Sequence, residues 1–201
     1  MALQERRSIR KYSQQQIPTK VLLEILEAAS WAPSAHNAQP WRFIVITQRG
    51  KKRSLAEAMA KPWLRDLKRD GEPMEARTAT AEDSVERFSN APALVVACST
   101  MENMRRYPDK KRQKSERDLA VQSLGAAIQS LLLAAHGEQL GACWYCAPAF
   151  CKDAVKRELK IPREVEPQAL IAIGHPAEKP NPPKRKSLDT FVFSQRWGGK
   201  L

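Results

Sequence analysis

The segment from Asp118 to Gln139 constrains the fold most. Ala120, Leu124, Ala127, Ile128, Leu131, Leu132 and Ala135 recur at helical spacing, and little of the opposite face is charged. A helix so apolar nearly all round is a buried one, at the middle of a domain or of a dimer. Ser123, Gly125, Ala126 and Ala127 are small and let another backbone come close.

Around that helix the pattern predicts a mixture of elements. Pro18 to Trp31 reads as a helix, with Val21, Leu22, Ile25, Leu26 and Ala29 on one face. Ala32 to Pro40 carries two prolines and short polar residues, and is a loop. Trp41 to Thr47, Ala93 to Ser99 and Ala169 to Gly174 are rich in β-formers and read as buried strands, with Ala142 to Tyr145 a shorter one. Lys51 to Ala60 and Cys151 to Leu159 read as short helices. Lys61 to Asn90 reads as helical pieces in a mobile, charged surface excursion. Met101 to Glu116 reads as a charged loop with a turn at Tyr107-Pro108-Asp109. Ala177 to Lys186 is rich in proline and lysine and must be extended. The apolar tail from Phe191 to Leu201 is expected to dock, on this chain or on a partner subunit. The elements do not alternate as βαβ units, and no Gly-x-Gly-x-x-Gly follows a strand, which argues against a dinucleotide-binding Rossmann domain. The expected class is α+β: a mixed β-sheet packed by helices, in a single domain over residues 1–201.

Hydrophobic residues at 42% suffice for a core. No run of about 20 continuous apolar residues is present, and the charged Met1 to Arg10 segment is no secretory signal, so the reading is a cytoplasmic protein. Cysteines at 98, 143, 146 and 151 are too few and too clustered for a disulfide framework. Lys and Arg number 34 against 22 Asp and Glu, a net charge of +12 that attracts anions. The charges are interspersed, with no basic helix carrying interleaved aromatics, so a phosphate-bearing ligand ranks ahead of nucleic acid.

Four clusters carry candidate chemistry. Arg6-Arg7-Ser8-Ile9-Arg10 sets three guanidinium groups and a hydroxyl within five residues, enough to surround a phosphate; its plain alternative is an exposed basic arm. Pro33-Ser34-Ala35-His36-Asn37-Ala38-Gln39-Pro40-Trp41 offers open backbone and amide groups to a planar heterocycle, or is simply a helix-to-strand connection. Cys143 and Cys146 have the spacing of a redox pair or half a zinc site, yet sit in an apolar setting that favours packing. Pro182-Pro183-Lys184-Arg185-Lys186 completes a phosphate site or is a solvated loop.

Together and in order these pieces resemble the nitroreductase family. The likeness runs through Arg6-Arg7-Ser8-Ile9-Arg10, Ala32-Pro33-Ser34-x-x-Asn37-x-Gln39-Pro40-Trp41, Gly141-Ala142-Cys143-Trp144, Ile171-Ala172-Ile173-Gly174-His175-Pro176 and Arg185. A closer likeness, in Trp63 to Leu67, Asp70-Gly71, Tyr107-Pro108-Asp109 and Ser123 to Pro176, is to the branch containing the reductase domain of deazaflavin-coenzyme biosynthesis enzymes. The resemblance implies an intertwined homodimer with FMN at the subunit interface and NAD(P)H as electron donor. It implies Arg6 and Arg185 on the phosphate, Arg7 and Ser8 beside it, and Arg10 as the catalytic contact at the pyrimidine edge. Pro33, Ser34, Ala35, Asn37 and Gln39 complete the cofactor site, the loop arriving from the other subunit. The backbone of Cys146 and Ala147 lies by flavin N5, although the glycine frequent in that turn is absent. No metal site is implied. The activity implied is ping-pong reduction of nitro, quinone or related conjugated acceptors, or of a specific biosynthetic intermediate such as a dehydro precursor of the deazaflavin coenzyme. The excursion at 61–90 is the candidate lid, suited by its charge to an anionic acceptor. Neither a membrane nor nucleic acid is expected as partner; a basic nucleic-acid-binding protein without activity is the alternative of another class.

Overall fold

The computed structural model describes residues 1–200. Its centre is a four-stranded sheet in the order β1-β2-β4-β3, formed by β1 (Trp41–Ile46), β2 (Ala93–Ser99), β3 (Gly141–Tyr145) and β4 (Glu166–Gly174). All three ladders are antiparallel. A parallel contact is added at the β3 edge, where Ser8 bridges to Ala142 and the Ile9 N–H donates to the Ala142 carbonyl at 3.1 Å. β2 is buried along its whole length, as its unbroken Ala-Leu-Val-Val-Ala-Cys run requires.

Helices cover both faces, giving the expected α+β architecture. On one face lie α2 (Thr19–Ser30) and α5 (Lys110–Gly137), joined to the sheet through Ile25, Leu124, Ile128, Leu131, Val95 and Ile171. On the other lie α3 (Arg49–Arg69), α4 (Met74–Asn90) and α7 (Lys152–Leu159), around Leu55, Met59, Phe88, Leu94, Val96 and Leu170. Each fully buried Leu or Ile contributes roughly 1.5–3 kcal/mol of transfer free energy. By length and composition α5 could cross a membrane. Its apolar face is here spent on the core, with Leu131, Ala127 and Ala135 wholly buried. Two short helices, α1 (Ala2–Glu5) and α6 (Ala147–Phe150), precede the arginine cluster and follow β3.

Several expectations need correction. The helix expected at Lys51–Ala60 runs on through Pro62 to Arg69. One proline is outweighed by a following run of good helix formers and by the packing of α3 against α4. Residues 61–90 are therefore two long helices, and Ala81 and Phe88 of α4 belong to the core rather than to a surface excursion. The loop expected at 101–116 ends at Asp109, whose carboxylate accepts the Arg112 N–H at 2.8 Å. That N-cap starts α5 eight residues before Asp118, despite the charge of its first turns. The tail does not dock on its own chain's core: Trp197 is 90% exposed and stacks on Phe193, centroids 4.8 Å apart.

Candidate functional site

The N-terminal arm is fixed between two pieces of backbone. On one side Ile9 fits over Gly141, where a Cβ would meet the Ile9 side chain at 2.7 Å. On the other, the Ser13 N–H donates to the His175 carbonyl at 2.9 Å and the Ala177 N–H to the Lys11 carbonyl at 3.0 Å. Glu178 accepts the backbone N–H groups of Arg10 and Lys11, at 2.5 and 3.1 Å. The Tyr12 hydroxyl reaches the carbonyls of Ile9 and Ala172, and burial pushes its pKa upward.

This anchoring holds the arginines without spending their charge. Arg6, Arg7 and Arg10 form no ion pair with any carboxylate among the described residues. Arg7 donates to the carbonyls of Gln4 and Arg6, and Arg10 reaches only the Ser8 carbonyl, at 3.5 Å. Arg6 Nε is buried without a hydrogen-bond partner. An unmet donor beside two guanidinium groups that have no carboxylate partner fits a multivalent anion such as a phosphate.

The loop after α2 has its own construction. His36, Asn37 and Gln39 all take positive φ, at 58°, 52° and 46°. Non-glycine residues in that region carry a conformational cost that surrounding contacts must offset. Those contacts are visible. The Ala35 N–H donates to Ser123 Oγ on α5 at 3.1 Å, and the Gln39 N–H donates to Ser34 Oγ at 3.1 Å. His36 Nε2 lies 3.2 Å from Glu116, a carboxylate only 6% exposed. Pro33, Asn37 and Gln39 remain exposed.

Within one chain these groups do not meet. The loop reaches α5 through Ser123 and Glu116, whereas the arm meets α5 through α1 and lies along β3, whose Trp144 faces Gly125. No hydrogen bond or ion pair joins Pro33, Ser34, Ala35, Asn37 or Gln39 to Arg6, Arg7, Ser8 or Arg10 among the described residues. Arg185 is exposed, in the segment after β4 that carries no regular secondary structure.

Cys146 and Ala147 do face open space. They line a cleft of about 500 Å³ between α3, α4 and the β3–α6 turn, with Trp63, Arg87, Phe88 and Tyr145 among its walls. A second cleft, of about 770 Å³, holds Arg10, Tyr12 and Glu178 and shares Arg87 with the first. Arg87 and Tyr145 were not singled out in the sequence. Arg87 is one charge among many on its helix, and only the packing of α4 on β3 makes it distinct. Cys143 is buried, Cys146 is exposed, and the Cys151 thiol donates to the Ala147 carbonyl at 3.2 Å.

The sequence profile of the Nitroreductase family matches residues 3–175. A Methanothermobacter thermautotrophicus protein named NADH dehydrogenase/NAD(P)H nitroreductase is 30% identical over 183 residues, 89% of this chain and 78% of the relative. A Thermus thermophilus protein named NADH dehydrogenase is 31% identical, over 94% of this chain and 92% of the relative. Among solved structures, a Desulfovibrio desulfuricans nitroreductase in complex with FMN superposes with a TM-score of 0.73 at 27% identity, covering 97% of this chain and 95% of the other. A BluB-like flavoprotein from Clostridium difficile shares the fold, with a TM-score of 0.78 at 24% identity, over 97% of each chain. With a family match spanning most of its length, an arginine arm free to hold an anion, and the shared architecture, this chain belongs to the nitroreductase family.

Proposed function

We propose that the protein is an FMN-dependent oxidoreductase that uses NAD(P)H to reduce nitro, quinone or related conjugated acceptors, as a homodimer with the cofactor at the subunit interface. The observation that carries this reading is the set of uncommitted guanidinium groups on the N-terminal arm, with Arg6 Nε buried and unmet, in a chain of this family. The FMN held by the Desulfovibrio relative and the NAD(P)H in the name of the Methanothermobacter relative support cofactor and donor. The four free thiols suit a reducing compartment, and we assign the protein to the cytoplasm.

Bound FMN supplies the centre that accepts hydride from NAD(P)H and delivers it to the acceptor. The chain's own residues bind and bias that centre. Arg6 and Arg185 hold the phosphate, Arg7 and Ser8 the ribityl side. Arg10 would face the pyrimidine edge of the bound group, where its guanidinium would favour negative charge. The backbone of Cys146 and Ala147 would border the bound group's N5 side. Pro33, Ser34, Ala35, Asn37 and Gln39 come from the partner subunit, which explains why a single chain leaves them apart. Donor and acceptor would occupy the site beside the cofactor in turn, giving ping-pong kinetics, and no side chain is needed as a nucleophile.

Rapid mixing with NADH and NADPH tests the assignment. Arg10→Ala is expected to slow flavin reduction by about 10²-fold, the scale of one oxyanion-stabilising donor, with a smaller loss of flavin occupancy. Equal loss of rate and occupancy would contradict the electrostatic role. Failure of both nicotinamides to bleach the flavin would contradict the oxidoreductase reading.

A further inference from the structure

The cleft beside Cys146 is built for a more particular ligand than a generic acceptor. Met59, Trp63, Phe88 and Phe150 give it apolar walls, and its volume of about 500 Å³ suits a small planar molecule. Asp66 and Ser84 also line it, and two further polar groups are left open to a ligand. The first is Arg87 on α4, which pairs with no carboxylate among the described residues. The nearby acids do not neutralise it. Asp66 in the same wall pairs with Arg69 at 3.6 Å, and Glu86 engages Arg49, Arg53 and Asn90 at 4.0, 3.9 and 2.6 Å. Asp83, one helical turn before Arg87, stays outside ion-pair distance. The second is the Tyr145 hydroxyl, buried and without a hydrogen-bond partner. Its ring is held by Phe88 in an edge-to-face contact, with centroids 4.9 Å apart. Burial, reinforced by the Cys143 thiol two residues back, pushes the phenol's pKa upward. The hydroxyl therefore keeps its proton and can donate it in a hydrogen bond.

We propose that this cleft is the acceptor site and that it selects conjugated aromatic compounds bearing a carboxylate. The carboxylate sits on the Arg87 guanidinium, the ring lies among Trp63, Phe88 and Phe150, and an acceptor oxygen takes the Tyr145 hydrogen bond. The proposal rests on the oxidoreductase reading and names the substrate class of the same site. An apolar pocket with one guanidinium discriminates by charge, because the planar fork matches a carboxylate and an uncharged isostere leaves it unmet. Arg87 and Tyr145 bind and orient; neither exchanges a proton or a bond with the acceptor.

The test uses the purified, flavin-loaded protein and two probes of one shape, 4-nitrobenzoate and 4-nitrobenzamide, with dissociation constants from calorimetry. The wild type is expected to prefer the acid by about tenfold or more, the scale of one charge-assisted hydrogen bond. In Arg87→Met that preference falls to near unity, and Arg87→Lys restores part of it. In Tyr145→Phe both probes weaken about fivefold, the scale of a lost neutral hydrogen bond. Arg87 is exposed, so its replacement spares the core. Equal binding of acid and amide to the wild type, or a preference that survives Arg87→Met, overturns the proposal while leaving a flavin reducible by NAD(P)H intact. A protein without flavin overturns the oxidoreductase reading and this proposal with it.

Discussion

Cys146 stands exposed at the mouth of the cleft, Cys151 is half-buried behind it, and Cys98 and Cys143 are buried in the sheet. Burial raises the Cys151 thiol to about 11 and the Cys98 thiol to about 12. The thiolate is the reactive species, so exposure and ionisation act together. Mass spectrometry after iodoacetamide treatment at pH 7.5 is expected to find Cys146 modified first, Cys151 slowly, and Cys98 only on unfolding. Early modification of Cys98 would contradict the placement of β2. The same shifts bear on stability. Below pH 9.0, the ordinary thiol value, both groups are protonated in folded and unfolded chains alike. Above it the unfolded chain loses protons that the folded one keeps, so stability falls as pH rises toward 11 and 12. At this scale the sequence was partly legible. The Arg6-to-Arg10 cluster and the Pro33-to-Gln39 loop stand out by residue type. Arg87 and Tyr145 do not, because an exposed arginine on a charged helix and a tyrosine in a strand acquire meaning only through the cleft they share.

The N-terminal arm and β3 act as one element. Gly141 admits Ile9 so closely that a methyl group would lie 2.7 Å from its Cβ. Gly141→Ala therefore pushes the arm from the sheet edge, at an overpacking cost of about 1–3 kcal/mol. For a chain of this size that is a fall in Tm of roughly 2–12 °C. Thermal unfolding with and without added FMN checks it, and flavin affinity is expected to drop with Tm because Ser8 and Arg10 ride on the arm. An unchanged Tm and affinity would contradict the arm's role. Strand β2 was readable to the residue, since an unbroken apolar run with β-branched residues admits little else. The start of β4 was not. Glu166, Pro167 and Gln168 lack a strand pattern and join the sheet through a register shift opposite Ala97 and Cys98. Helices α3 and α5 outran their sequence patterns because a tertiary contact and an N-cap overrode local signals at Pro62 and Asp109.

At the scale of the whole molecule, the two segments proposed to form the cofactor site lie on separate parts of one chain. The arm holds unspent positive charge, the Pro33-to-Gln39 loop holds three residues at positive φ, and nothing within the described chain brings them together. An interface between two copies would unite them and would give the exposed Trp197, stacked on the half-buried Phe193, a surface to cover. The family is read from the chain, whereas the proposed homodimer would be a property of two chains, and a single protomer leaves these segments apart. The most direct test is to release the cofactor from the purified protein and measure its identity and amount. One FMN per 22.7 kDa chain, with the flavin-loaded species at twice that mass, is the expected result. A colourless protein, or FMN bound fully by a monomer, would contradict it.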